Sequence, residues 1–321
     1  MSILVTGSVA FDHIMAFEDQ FKNHILPDKV HVLNVSFLVP TLDKRWGGTA
    51  ANIAYNLRIL EEDPIVLATA GRDFGPYLER MRDCGLRTDG VLVLKDAMTA
   101  QAFITTDLDD NQITAFHPGA MERAAEAPIS SLADFDDVTV GIVAPNGKQA
   151  MIDHAAALKE AGKQCVVDPG QGLPLFDGPE LLSLLDGAAV YIVNDYEWAL
   201  TLDSTGLEEA AIAERVGAVI VTRGGDGSTL IRGGRGGISM DGDRCEVASV
   251  KPTAIVDPTG CGDSYRAGLL HALHSGASLE TGARLGTLFG SLKIERAGPQ
   301  SIPLDPAAFR TRYEQEFGEG F

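Results

Sequence analysis

The sequence predicts an α/β protein, a three-layer α/β/α domain bearing a small second β layer. Three observations predict it. Apolar runs of strand length recur at 2–7, 64–69, 138–143, 164–167, 190–193 and 217–222. Helix-length segments lie between them at 49–61, 75–84, 147–161 and 194–214, and this alternation implies a parallel sheet covered on both faces. Two stretches, 12–40 and 98–117, break the rhythm with shorter, alternating patterns.

Taken in order, residues 2–7 form a buried strand that ends in a turn, and Gly47-Gly48 precedes the first helical segment. Within 98–117, the runs 102–106 and 112–116 flank the turn-like tract Asp107-Leu108-Asp109-Asp110-Asn111, so they read as a hairpin. With 12–40, the hairpin makes a β layer projecting from the body, a lid able to exclude water. The alternative is an antiparallel extension of the main sheet. The last third is helical at about 262–275, 279–295 and 305–317. Without a long linker or an internal repeat, residues 1–321 read as one domain.

An apolar content of 45% supports a full-sized core, and 35 glycines and 15 prolines spread along the chain fit many tight turns. The formal charge of −19 argues against nucleic acid as a partner. An anionic ligand would instead be held by backbone dipoles, a few Arg or Lys side chains and a metal ion. The four cysteines are widely spaced without a metal-ligand pattern, and Cys84 and Cys165 read as buried thiols. The seven histidines show no metal spacing, and His271 and His274 are expected to face solvent. Neither a leader peptide nor an apolar run of about 18 residues is visible, so no membrane partner and a cytoplasmic location are expected.

Asp257-Pro258-Thr259-Gly260-Cys261-Gly262-Asp263 is the most informative stretch. Small residues let N–H groups converge, and a helix start adds partial positive charge, which suits a phosphoryl group in transfer. Asp263 would take the proton of an attacking hydroxyl while the amides of Gly260, Cys261 and Gly262 hold the developing charge. Asp257 would organise the loop through a cation. On its own, Gly-x-Gly-Asp is also an ordinary helix cap.

Four further segments join it. Gly47-Gly48 followed by Asn52 would let a substrate approach the backbone and meet an amide that binds hydroxyls; it also reads as a glycine turn with a surface Asn. Asp12, after Gly7-Ser8, would accept from vicinal hydroxyls, or is a strand-end Asp in a turn. Asn194 and Glu197 offer hard oxygens suited to hydrated Mg²⁺ on ATP phosphates, and equally match a helix-capping pattern. Thr222-Arg223-Gly224-Gly225-Asp226-Gly227 is a turn that would pass close to a nucleotide, or a plain hairpin turn. Walker A, GxGxxG and GxSxG motifs are missing at the positions their folds require, which argues against P-loop NTPases, dinucleotide dehydrogenases and α/β-hydrolases.

In this order the five segments resemble the ribokinase/PfkB family, and within it the bacterial adenosine kinases. The resemblance spans nearly all of the chain and adds 36–39, Phe116-His117-Pro118-Gly119, Asp168-Pro169-Gly170-Gln171 and Arg266-Ala267-Gly268. It implies a Rossmann-like, ribokinase-like body with a β lid, ATP as phosphoryl donor, Mg²⁺, stimulation by K⁺, and a homodimer formed through the lid. By position it makes Asp263 the general base and Gly260, Cys261 and Gly262 the anion hole. It sets Asp12, Gly48 and Asn52 against the ribose, with Ser8, Gln171, Phe103 and Phe116 near the base. Asn194 and Glu197 would act through the metal, and Thr222, Gly224 and Gly227 would flank ATP. Cys261 departs from the usual Ala and would make the loop oxidisable. Gln171 stands alone where the compared adenosine kinases have two glutamines.

The expected activity is therefore adenosine phosphorylation at the ribose 5′-hydroxyl. Phe103 and Phe116, on the two hairpin strands, favour a flat purine over a simple sugar, or else belong to the lid's core or a dimer interface. A sugar kinase of the same family and a catalytically silent nucleoside-binding protein are the alternatives.

Overall fold

The computed structural model describes residues 1–25, 34–109 and 111–321. Part of the predicted 12–40 β layer, Asp110 of the predicted turn and His31 lie outside them. The chain runs through β1 (Ser2–Thr6), β2 (Ala10–Ala16), β3 (Thr41–Gly47), α1 (Thr49–Ile59), β4 (Ile65–Gly71), α2 (Gly75–Asp83), β5 (Val91–Leu94), β6 (Ala100–Thr106) and β7 (Gln112–His117). It continues through β8 (Val138–Val143), α3 (Lys148–Glu160), β9 (Gln164–Val167), α4 (Gly178–Leu185), β10 (Val190–Asn194), α5 (Asp195–Thr205) and α6 (Glu209–Ala213). The last part holds β11 (Ala218–Thr222), β12 (Ser228–Arg232), β13 (Arg244–Val247), α7 (Cys261–Ser275), α8 (Leu279–Ile294) and α9 (Pro306–Phe317).

The main sheet has nine strands in the order β13-β12-β11-β10-β9-β8-β1-β4-β5. β5 through β11 pair in parallel, and β12 and β13 add antiparallel pairs at one edge. Side chains alternate between two buried clusters with the two-residue period of a strand. Ile3, Val5, Val66, Val140, Ile142, Val190, Ile192 and Ile220 pack with α1, α2, α7, α8 and α9. Leu4, Ile65, Leu67, Val143, Tyr191, Val193 and Val219 pack with α3, α4, α5 and α6. Both faces are dry, as a parallel sheet requires, and the three layers follow.

A separate four-stranded sheet has the order β3-β2-β6-β7. β6 and β7 form the predicted hairpin, so the second β layer is not an extension of the main sheet. Its membership differs from the sequence reading in one respect. β3, 41–47, falls just outside the predicted 12–40 stretch and pairs along the whole of β2.

Two helix expectations need correction. The predicted helix 194–214 is broken, because Gly206 adopts a left-handed conformation (φ 65°) that terminates α5 before α6 begins. α4 was not expected. Its local cause is a reciprocal capping box in which Asp177 accepts from the Glu180 amide and the Glu180 carboxylate accepts from the Asp177 amide.

Candidate active site

The sheet order reverses beside β1, which has β4 on one side and β8 on the other. Ligands of open α/β sheets bind outside such a point, at the carboxyl ends of the strands. There Ala144 N donates to Thr6 O (2.9 Å), and Asn146 Nδ2 donates to Gly7 O (3.3 Å). Gly48 enters α1 with φ 90°, and a Cβ on it would meet Val9 Cα at 2.5 Å, so only glycine fits. Ser8 is buried, and its Oγ accepts from Thr49 N at 3.1 Å. The serine predicted to sit near the base is therefore committed, at least in part, to the start of α1.

Asp263 stands in the first turn of α7, behind Gly260 in the left-handed region (φ 81°). Cys261 N donates to Pro258 O at 3.2 Å, whereas the amides of Gly262 and Asp263 find no acceptor among the described residues. These two free donors point from a fifteen-residue helix start, where partial positive charge collects. The Cys261 amide, predicted as an equal member of the ring, is already partly engaged.

Asp263 Oδ2 accepts from Asn52 Nδ2 at 2.8 Å. Asn52 Oδ1 accepts from Gln300 Nε2 (3.1 Å), which also donates to Tyr77 Oη (2.7 Å), and Tyr77 donates to Gly47 O (2.7 Å). Asn52 is buried, which sets aside the alternative reading of a surface amide, and its Nδ2 orients the carboxylate. Burial pushes Asp263 up to about 6, the Asn52 hydrogen bond and Arg266 oppose this, and Asp168 and Asp12 add to it. Arg266, one turn further on, holds Asp168 in a buried bidentate pair at 2.7 and 3.0 Å. That pair ties the start of α7 to the carboxyl end of β9.

Asp12 lies within β2, not in a turn after β1 as one sequence reading had it. Burial first, and then the charge of Asp257, push it up to about 6, while Arg45 pulls it down. Arg45 Nη1 donates to Asp257 Oδ2 at 3.1 Å, so β3 reaches across to the 257–263 loop.

Strand register separates the two phenylalanines of the small sheet. Phe116 pairs with Ala102, and Ala102 with Asp12; Phe103 pairs with Ala115 and with His13. Partners across a ladder share a face and neighbours alternate, so Phe116 shares the face of Asp12 while Phe103 leaves the sheet on the other side. Phe103 stacks on His13 there, with centroids 4.6 Å apart. The expectation that both rings lie near one base is thus corrected: a ligand over Asp12 can stack on Phe116 only.

A cleft of about 310 Å³ opens behind the α7 start. Thr222, Gly224 and Gly227 of the β11–β12 turn line it, with Cys261, Gly262, Gly290 and Ser291. The turn is thus both a hairpin turn and a cleft wall. Asn194 pairs with Thr222 in register, and Asn194 and Glu197 form a reciprocal capping box at 2.8 and 2.9 Å. Among the described residues no three His, Cys, Asp or Glu side chains cluster as a metal cage.

Gln171 is exposed in the turn after β9 and makes no side-chain hydrogen bond to the other site residues. Burial pushes the Cys261 thiol up to about 11, and its Sγ donates to Gly290 O at 3.6 Å; both favour the thiol over the more reactive thiolate. His271 and His274, expected to face solvent, are half-buried against Glu62, and His274 also lies 2.7 Å from Thr139 Oγ1.

Gln300, Tyr77 and Arg45 were missed, because each comes from a distant segment without a motif of its own. Lys293 was missed despite a readable signal, a lone charge in the apolar helix 285–294.

Comparison with known proteins fits this geometry. Residues 4–306 match the pfkB family carbohydrate kinases. A nucleoside kinase of Methanocaldococcus jannaschii is 29% identical over 302 residues, covering 93% of this chain and 92% of that protein. The structure of Burkholderia thailandensis nucleoside kinase in complex with inosine superposes with a TM-score of 0.88 at 42% identity, covering 100% of both chains. The same kinase in complex with ADP-inosine gives 0.85 at 45% identity, covering 99% of this chain and 97% of that one. The chain belongs to the pfkB family of carbohydrate kinases and is an ATP-dependent phosphotransferase whose acceptor is a hydroxyl group.

Proposed function

We propose that this enzyme is a purine nucleoside kinase that transfers the γ-phosphoryl group of ATP to the ribose 5′-hydroxyl, with adenosine the expected substrate and inosine a second. The carrying observation is the Asp263 carboxylate, aligned by Asn52 at 2.8 Å beside two free helix-start amides. Asp263 takes the 5′-hydroxyl proton as that oxygen bonds to the γ-phosphorus. The bond from the γ-phosphorus to the β,γ-bridging oxygen breaks, and ADP leaves with a nucleoside 5′-monophosphate. The amides of Gly262, Asp263 and Gly260 carry the charge in transit. Asp12 and Gly48 face the ribose, Asn52 positions the Asp263 carboxylate, and Phe116 stacks on the purine.

The donor lies in the cleft walled by Thr222, Gly224 and Gly227. Mg²⁺ fits a site of this kind, because it keeps most of its waters and needs one or two carboxylates plus phosphates. The capping box uses Glu197 Oε2 and Asn194 Oδ1 and leaves Glu197 Oε1 for a metal-bound water. When bound, the ion neutralises phosphate charge. The small sheet serves as a lid over the nucleoside. Its exposed Leu42, Ile113 and Phe103 suit a homodimer contact, and a cytoplasmic setting fits the acidic, ATP-using chain.

Nucleoside is favoured over sugar by Phe116 and by the names and bound inosine of the relatives. ATP-coupled assays with adenosine, inosine, guanosine, ribose and fructose test the reading. Adenosine or inosine should lead the panel; ribose or fructose ahead of both would overturn it. Replacing Phe116 by Ala should raise KM for nucleosides about tenfold and leave KM for ATP unchanged, whereas Phe103→Ala should alter nucleoside KM little.

A further inference from the structure

Lys293 is fully buried in the last turn of α8, a costly place for an ammonium unless oxygens surround it. Its Nζ donates to Asp257 O at 2.9 Å and to Arg296 O at 2.8 Å. These two carbonyls belong to the loops on either side of the α7 start. The first loop is held further by the amides of Val256 and Asp257, which both donate to Ile294 O (2.8 and 3.1 Å). The second carries Pro299, which packs on Gly260, and Gln300, which steadies Asn52.

The Asp257 carboxylate is also occupied. Oδ2 accepts from Arg45 Nη1 (3.1 Å) and Gly298 N (2.8 Å), and Oδ1 accepts from Thr259 N (2.9 Å). A monovalent ion at this loop would need such carbonyl and carboxylate oxygens to replace its hydration shell. Two side-chain cations already hold them. The donor set therefore does not fit the K⁺ that the family resemblance implies.

We propose that the Lys293 ammonium takes the place of a monovalent cation, so that the anion-binding loop carries a built-in counter-charge and the enzyme works without K⁺. The lysine stem comes from α8, and the ammonium clamps the loops before and after the catalytic turn. It contributes a fixed positive charge behind the free amides, where an exchangeable ion would do the same only at sufficient concentration.

The test compares K⁺, NH₄⁺, Na⁺ and tetramethylammonium chloride at equal ionic strength, by thermal melting of the free enzyme and by turnover. Wild type should melt at the same temperature in all four salts, and its turnover should vary less than about twofold. Lys293→Ala should melt lower and regain part of the loss in K⁺ or NH₄⁺ but not in tetramethylammonium, which is too large for the site. Wild type stabilised or activated several-fold by K⁺ would overturn the proposal, and so would a folded Lys293→Ala protein indifferent to K⁺ and NH₄⁺. If Lys293→Ala does not fold, the wild-type comparison decides alone. The melting readout needs neither nucleoside nor ATP, so it stands whichever acceptor the substrate panel selects.

Discussion

Asp263 and Asp12 are carboxylates held at about 6 chiefly by burial, with the charges of Asp168 and Asp12 adding to the first and that of Asp257 to the second. Such a group is ionised at neutral pH yet basic enough to take a proton in the transition state. Asp263→Asn should lower kcat by about 10²–10⁴-fold and leave nucleoside binding by calorimetry nearly intact. Near-normal turnover would remove Asp263 from its role. The pH dependence of activity and that of stability run in opposite directions. kcat/KM should rise as pH increases through about 6, because the base must be ionised. Stability should fall over the window from the ordinary carboxylate value of 3.8 to about 6, because the native state binds these protons more tightly than the unfolded chain does. Asp263→Asn should flatten part of that fall, which melting curves at pH 4 to 8 would reveal. At this scale the placement of Asp263 behind a glycine turn was legible, because a carboxylate at a glycine-rich helix start is a local pattern. Gln300 and Tyr77 were not, since neither stands near Asn52 in the chain.

Elements put these residues in place through backbone constraints. Gly48 has the sharpest, with φ 90° and a hypothetical Cβ within 2.5–2.6 Å of the backbone of Ser8, Val9 and Ala10. Gly48→Ala should therefore cost at least about 2 kcal/mol of stability, read from chemical denaturation, and disturb α1 enough to raise nucleoside KM. The hairpin of β6 and β7 was legible because two alternating runs bracket a turn. The same alternation did not reveal which phenylalanine shares the face of Asp12. That followed from register, which sets Phe116 on the ladder of Asp12 and sends Phe103 to the opposite face. The break at Gly206 and the start of α4 at Asp177 carry local signals, a left-handed glycine and a capping box, which the apolar pattern alone passes over.

Across the whole molecule, long-range pairs join segments that the topology brings to one crevice. Arg266 and Asp168, 7% and 4% exposed at the side chain, link α7 to the end of β9 one helical turn beyond Asp263. Removing one partner strands the other charge in a dry environment. Arg266→Met or Asp168→Asn alone should cost about 3–5 kcal/mol in denaturant melts, and replacing both with apolar residues should cost less than the sum. Additive losses would show that the two charges do not sense each other.

The amino-acid sequence by itself determined the layered architecture, the second β layer, the glycine turn that opens α7 and the family, since each rests on periodicity or on a motif within a few consecutive residues. Tertiary structure alone decided that Asn52 aligns Asp263, that Phe116 and Phe103 leave opposite faces of the small sheet, and that the Lys293 ammonium bonds the carbonyls of Asp257 and Arg296. Those outcomes depend on segments up to 248 positions apart meeting at one strand crevice, and neither composition nor local spacing encodes which distant donor reaches which acceptor.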